Sequence, residues 1–212
     1  QKDAIYWRVS NTGGHWTKGS WKMGRRQRFV KLTNFPDAEF RLLKTTEGNW
    51  AVHKSTMSEQ QQKFDVKFTG FIQCGDEECK EQEEYVHKAE RENNEDANQC
   101  KLLCEVNGNS FSGRYYRLLK SNCLVLQQEL FKEWHDDRLV PWLQFVPTGL
   151  SMDELPETTR HLLDDSEGKV VGASVADAGR CWSRRVLREV DATAAYYRIF
   201  LEHARLLDDD QD

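Results

Sequence analysis

The 212-residue chain has no apolar run near the ~18 residues that a membrane-spanning helix needs. No secretory signal pattern stands at its start. It has no basic surplus either: 30 Lys and Arg stand against 35 Asp and Glu, a net charge of −5 with a pI near 5.8. That balance argues against a general nucleic-acid binder. Neither of the two familiar phosphate fingerprints is present, the G-x-x-x-x-G-K-[ST] loop or the G-x-G-x-x-G turn. There is no internal repeat. The chain also lacks an initiating Met, opening on Gln1-Lys2-Asp3 directly before a strand-like run, and it is read as a piece of a longer protein.

What is present is a charged, polar chain, 38% hydrophobic and 31% charged, with a mean hydropathy of −0.78. It is long enough for one large or two small domains with a substantial core. The stretch Glu105–Trp142 organises the reading. Leu102–Val106 is a short apolar run of strand character. Asn107–Ser112 is a Gly/Ser/Asn turn, Gly113–Lys120 carries Tyr115, Leu118 and Leu119 at helical spacing, and Cys123–Leu126 is a second apolar run. Strand, turn, helix, strand is a βαβ unit. The turn of such a unit ends at a helix N-terminus, where backbone N–H groups favour an anion. Arg114, just inside the helix, is placed to clamp a phosphate in two-pronged fashion. Taken alone, the turn is equally a plain connection with Ser110 or Ser112 as N-cap.

Along the rest of the chain, Ala4–Val9 reads as a strand ending in a second small-residue turn, Ser10-Asn11-Thr12-Gly13-Gly14. Trp16–Leu32 reads as a helix on which Arg25, Arg26 and Arg28 form a solvated basic face. Phe35–Met57 reads as loop with short elements, and Phe64–Ile72 as a strand. Gly75–Asn98 reads as a surface helix or loop insertion, its charge run a solvated face. A short amphipathic segment follows over Leu130–Leu139, and Trp142–Val146 reads as a further strand. Three helices are expected at Glu154–Asp164, Lys169–Leu187 and Val190–Leu207. The second should bury Val170, Val171, Val175, Ala178 and Cys181 or Trp182. The third should bury Ala194, Tyr197, Phe200, Leu201 and Ala204. An acidic tail closes the chain at Asp208–Asp212.

The six cysteines leave several readings open. Cys74/Cys79 and Cys100/Cys104 fall within a loose zinc spacing. Cys104 and Cys123 sit in apolar runs as buried thiols. A Cys74–Cys79 or a Cys74–Cys100 disulfide suits an oxidising compartment. The six His residues form no catalytic constellation and read as ordinary surface or core residues.

Strands alternating with helices, then a helical tail, predict an α/β domain with a mostly parallel sheet. Residues 1–150 would form the nucleotide-binding core and 151–207 the C-terminal helices. Both small-residue turns follow strands, and so are expected on one edge of the sheet, where such folds bind ligands.

The blocks I-Y-W-R-V-S-N-T-G-G, F-T-G-F-I-Q-C, N-G-N-S-F-S-G-R-Y-Y-R-L-L-K-S-N and K-E-W-H-D-D-R-L-V-P-W-L-Q-F-V-P, in this order, resemble the fungal branch of glycosyltransferase family 90. That family includes capsule-associated xylosyltransferases and protein O-glucosyltransferases. The resemblance covers essentially the whole chain. It implies the C-terminal, Rossmann-like half of a GT-B enzyme. The donor would be a UDP-sugar, UDP-xylose or UDP-glucose, transferred with inversion to a glycan or protein hydroxyl without a required metal or cofactor. The parent would reside in the Golgi or endoplasmic reticulum lumen, held to the membrane only through an N-terminal anchor outside this sequence. Carried over by position, Arg8 and Ser10 face the donor, Asn109, Ser110, Phe111, Ser112, Gly113 and Arg114 hold the diphosphate, and Glu133 lies where an acidic residue binds the ribose. The general base belongs to the other half, so no catalytic residue is assigned here. Val9 stands where the family has Gly and would crowd the donor. Cys104-Glu105-Val106-Asn107 replaces L-D-V-D, and Gln144-Phe145 replaces H-Y. These departures keep a second reading in view, a family member that binds nucleotide, or merely keeps the fold, without catalysing transfer.

Overall fold

The computed structural model describes residues 1–46, 49–86, 88–91, 93 and 96–207. A five-stranded, wholly parallel sheet forms its centre, built from β1 (Lys2–Ser10), β4 (Phe64–Gly70), β5 (Cys100–Val106), β6 (Leu124–Gln128) and β7 (Val146–Pro147), in the order β4-β1-β5-β6-β7. Helices α1 (Arg25–Asn34), α2 (Asp76–Val86), α3 (Gly113–Leu119), α4 (Leu155–Asp164), α5 (Ser166–Val186) and α6 (Glu189–Leu206) accompany it. The architecture is Rossmann-like, with a helical C-terminal tail. No helix among the described residues is long and apolar enough to cross a membrane.

Alternation along the strands sorts the two faces. Ile5 and Trp7 point into the larger core with Val66, Phe68, Leu102, Cys104, Leu124 and Leu126, against Phe29 and Val30 of α1 and Leu155, Leu162 and Leu163 of α4. Leu103 and Val125 point the other way, to Tyr115, Leu118 and Leu119 of α3, with Tyr6 packed beside them. A sheet covered on both faces explains the near-continuous apolar runs of β5 and β6. Because α4 and α5 share the larger core with the sheet, the helical segment after residue 150 is not a separate packing unit.

Several elements depart from expectation. The Trp16–Leu32 helix is divided: a single 3-10 turn at Ser20–Met23 is set off by Gly19, at φ +76°, and α1 begins only after Gly24. The Phe35–Met57 segment is an antiparallel hairpin, β2 (Glu39–Thr46) with β3 (Asn49–Thr56), seated on the core through Phe40 and Leu42. Its signal was the E-F-R-L alternation, with Arg41 outward. Leu130–Leu139 holds only a 3-10 turn at Asp136–Arg138. The expected strand Trp142–Val146 shrinks to Val146–Pro147, because Trp142 adopts a left-handed φ of 62° and the chain folds back on itself. Cys74 and Cys79 form a disulfide, which removes the Cys74–Cys100 alternative. Among the described residues no group of His, Cys, Asp or Glu could hold a metal ion, which ends the zinc reading. The acidic tail lies outside the described residues.

The α5 stripe differs in part: Val175 is buried and Val171 and Trp182 pack against the cores as expected, but the most enclosed positions are others. The helix buries Gly168, Gly172, Val175, Gly179 and Ser183 and leaves Val170 exposed. The packed face is made of the smallest residues because neighbouring backbone comes in close. A Cβ on Gly179 would stand 2.3 Å from the Gln144 carbonyl oxygen. None of the residues of α6 is buried, so its expected apolar stripe is unpartnered. Replacing Gly by Ala inside a helix ordinarily stabilises by about 1 kcal/mol. Here overpacking against fixed backbone costs about 1–3 kcal/mol. Gly179→Ala is therefore expected to lower the urea midpoint. A midpoint at or above wild type would show that the loop around Gln144 yields freely.

Candidate anion-binding site

β1 and β5 are sheet neighbours whose following helices pack on opposite faces: α1 belongs to the larger core and α3 to the smaller. Strand order therefore reverses between them. In open α/β sheets the crevice beyond the carboxyl ends of such a pair is where ligands bind. Both small-residue turns emerge there, and they touch. The Gly13 N–H, at φ +119°, donates to Asn109 Oδ1 at 3.1 Å. A Cβ on Gly108 would stand 2.9 Å from Thr12 Oγ1, so only glycine allows this approach. Asn11, wholly buried, fixes the base of the first turn by accepting from the Ile72 N–H at 2.7 Å and donating to Gln82 Oε1 at 3.0 Å.

Arg26 ties the two turns together. Its guanidinium donates to the Val106 carbonyl from Nε (3.2 Å) and Nη2 (2.8 Å), and from Nη1 to the Ser10 carbonyl (3.0 Å) and Thr12 Oγ1 (2.6 Å). Burial, with the neighbouring charges of Arg114 and Arg25, pushes its pKa down to about 10 against the pull of Glu105. It remains a cation at neutral pH. The expected solvated face of Arg25, Arg26 and Arg28 thus holds for Arg28, which is exposed, and fails for Arg26. The missed signal was periodicity: Arg26 shares its helical face with Phe29, Val30 and Thr33, all buried.

Below the turns, on the α3 face of the sheet, lies an open cavity of about 290 Å³. Its polar lining includes Arg8, Ser10, Thr69, Arg91, Arg114 and Arg117. Arg8 leans across β4, its Nη1 donating to the Asp65 carbonyl (2.8 Å) and its Nη2 ion-paired with the Asp65 carboxylate (2.5 Å), with Tyr6 beneath. Arg114 meets the buried Glu105 carboxylate from Nε and Nη2, both at 2.9 Å, and donates from Nη1 to the Arg8 carbonyl at 3.2 Å. Arg91 and Arg117 form the exposed rim. Among the described residues, four guanidinium groups thus gather in a concave, partly desolvated site, two of them held by the Asp65 and Glu105 carboxylates. Cys104 also borders it, but complete burial pushes its thiol far up, which makes it unreactive.

A comparison of the chain with protein-family models and with curated proteins finds no match.

Of the residues singled out from sequence, Arg8, Ser10 and Arg114 converge on this cavity. Asn109, Ser110, Phe111, Ser112 and Gly113 do not line it. Asn109 braces the first turn, Ser110 and Phe111 are exposed, and Ser112 occupies the N-cap position of α3 without a side-chain capping bond, the helix opening at Gly113. Glu133 stands at the start of α3, accepting the Ser112 N–H at 3.4 Å and the Tyr116 hydroxyl at 3.3 Å. Both its oxygens are engaged. Val9 lines the cavity, and its side chain is also packed against the larger core, like Trp7 on the same strand. The sequence reading missed Arg26, Thr69, Arg91, Glu105 and Arg117. Arg91 was hidden within a charge run, and Arg117 follows Arg114 by one helical turn.

Arg114 emerges as a structural cation before anything else. Removing one partner of a buried ion pair leaves an uncompensated charge and costs about 3–5 kcal/mol. Arg114→Ala is expected to destabilise the chain by that order in urea unfolding. The double substitution with Glu105→Gln should recover much of the loss. Strict additivity of the two single changes would show that the pair is not coupled.

Proposed function

We propose that this chain is the donor-binding half of a UDP-sugar-dependent glycosyltransferase. The reading rests on one observation above the others: at the reversal point of a parallel sheet, a four-arginine cavity gathers Arg8, Ser10 and Arg114. These three residues were assigned to the donor by the resemblance to glycosyltransferase family 90. A nucleoside diphosphate is an anion of suitable charge for that cavity, and a Rossmann-like sheet is the usual platform for one.

The chemistry follows from the charges. Breaking the bond between an anomeric carbon and a diphosphate builds negative charge on the leaving oxygen. Guanidinium groups fixed in advance, in a site partly shielded from water, stabilise that charge without reorganising. Arg8 and Arg114 are fixed in this sense by Asp65 and Glu105. The attacking hydroxyl also needs a base within hydrogen-bond reach. Among the described residues, Asp65 and Glu105, the carboxylates beside the cavity, are both ion-paired, so the base is assigned to another part of the parent. That pairing equally serves the second reading, a chain that binds the nucleotide without transferring sugar. A UDP-sugar hydrolysis panel on the full-length parent separates the two.

Calorimetric titration with UDP tests the binding itself. Arg117→Ala removes an exposed rim cation, and urea unfolding of the variant reads any change in stability apart from its effect on binding. A hydrogen bond to a charged partner contributes roughly 1.5–3 kcal/mol, and about 1.4 kcal/mol is tenfold in affinity. UDP should therefore bind the variant about ten-fold more weakly, with wild-type affinity falling as salt rises. Val9→Gly should leave affinity unchanged, since that side chain packs against the larger core. Equal affinity of wild type and Arg117→Ala would remove the cavity from consideration as the diphosphate site.

A further inference from the structure

His135 is fully buried and belongs to no site described so far. It lies beyond the carboxyl end of β6, enclosed by the rings of Tyr115, Tyr116, Trp134 and Trp182 at centroid distances of 5.2–6.4 Å. Its Nδ1 stands 2.9 Å from the Asp136 carboxylate and its Nε2 3.5 Å from Glu133, ion-pair contacts that lack the alignment of hydrogen bonds. Glu129 lies near enough to Asp136, Glu133 and His135 for their charges to act on it. Asp136 also accepts the Glu133 N–H. Glu133 in turn holds the Ser112 N–H and the Tyr116 hydroxyl. On the same side, the Leu130 N–H donates to Asn107 Oδ1 at 3.0 Å. The segment after β6 is thus bonded at two points to the turn after β5, and three carboxyl groups crowd one imidazole.

We infer that His135 is a positioning residue: as an imidazolium among Glu129, Glu133 and Asp136, it keeps the Glu133 carboxylate on the Ser112 amide and so sets the turn 107–112 and the start of α3, from which Arg114 and Arg117 reach the cavity. Without a cation at this point, Glu133 and Asp136 would repel each other across a buried space, and Glu133 would be free to leave the Ser112 amide. The rings exclude water that would otherwise screen that repulsion.

The charge state follows from the same neighbours. Burial by itself would lower the His135 pKa, but Asp136 and Glu133 outweigh it and raise it to about 9. Burial first, then the neighbouring Asp136 and Glu133, pushes Glu129 up to about 8. Other groups near the cluster are the Tyr115 and Tyr116 hydroxyls, both pushed up by burial, the exposed Lys132 ammonium, paired with Asp137 and within reach of the Asp136 and Glu129 charges, and the Arg138 guanidinium, 4.9 Å from the Trp134 ring. A histidine raised on folding contributes stability in full below its unfolded pKa of about 6.5 and loses it as pH climbs through about 9. The device is therefore set at neutral pH and released in alkali.

The test compares the wild-type chain with His135→Gln through three readouts, only one of which rests on the proposed donor site. Tryptophan emission of the wild type, dominated near His135 by Trp134 and Trp182, should change with a midpoint near pH 9, and His135→Gln should lack that step. Amide exchange at Ser112 should be about ten-fold faster in the variant at pH 7, with the α4 amides unchanged. UDP affinity, with UDP itself as the probe, should be about ten-fold weaker in the variant at pH 7, and should decline in the wild type as pH passes through about 9. A wild type that binds UDP at no pH would remove the donor-site reading alone, and Ser112 exchange would still decide the role of His135. Unchanged Ser112 exchange in the variant, or a wild-type emission midpoint at or below 6.5, overturns the inference. Should His135→Gln fail to fold, Glu133→Gln replaces it. That substitution keeps an acceptor for Ser112 but severs the charge link, so Ser112 exchange and UDP affinity should lose the dependence on pH near 9 that the wild type shows. Retention of the wild-type profile overturns the inference equally.

Discussion

The buried guanidinium of Arg26 is the constraint on which the site depends. A parallel sheet ends, at its carboxyl edge, in carbonyl groups that no further strand will satisfy. At the edge of β1 and β5 those groups are the Ser10 and Val106 carbonyls, and Arg26 takes both. One side chain from α1 thereby sets the spacing of two strand ends, and with Thr12 Oγ1 it orients the glycine turn between them. An arginine suits this task because its planar fork offers several donors at fixed angles and stays charged when desolvated. The cost of burying it is offset by four short contacts to oxygen and by the nearby Glu105 charge. Gly13 and Gly108 answer the same geometry in different ways. A Cβ on Gly108 would press on Thr12 Oγ1 at 2.9 Å, and Gly13 holds a φ of +119° that side-chain-bearing residues rarely adopt.

That requirement explains which parts of the molecule could be read from sequence. β1, β5, α3 and β6 were legible because each depends on its own residues: an apolar run, a small-residue turn, helical spacing. The parallel sheet followed from their alternation. The hairpin β2–β3 was missed because its inward residues, Phe40 and Leu42, are sparse among polar neighbours. The strand expected at Trp142–Val146 failed because a tight turn with Trp142 in a left-handed conformation overrides the apolar pattern. On α5, hydrophobicity pointed to Val170, while close backbone approach selected glycines instead. In each failure the deciding factor was a neighbour distant in sequence.

The site divides in the same way. Arg8, Ser10 and Arg114 were legible as polar residues beside strand–turn junctions. Their partners were not. Asp65, which holds Arg8, lies 57 positions away on another strand, and the Arg26 contact with Val106 spans 80. Glu105, the partner of Arg114, is nearer in sequence, but its carboxylate is buried within a strand that reads as apolar. Local pattern shows where a functional side chain begins. It does not show what that side chain is already bonded to.

This last point bears on how the arginines of the cavity divide their work. Arg8 and Arg114 are bound to carboxylates and to backbone carbonyls, so their positions change little when an anion arrives. Part of their charge is already spoken for, and their value to a ligand lies in direction more than in attraction. Arg91 and Arg117 stand on the exposed rim, where water screens a charge. In the proposed donor site, attraction of an anion from solution falls to the rim, and orientation once it is bound falls to the fixed pair. A preorganised site needs both, because stabilising charge that develops during a reaction requires dipoles that do not have to move at that moment. The ion pairs that make Arg8 and Arg114 look occupied are, on this account, what fits them to face a leaving group.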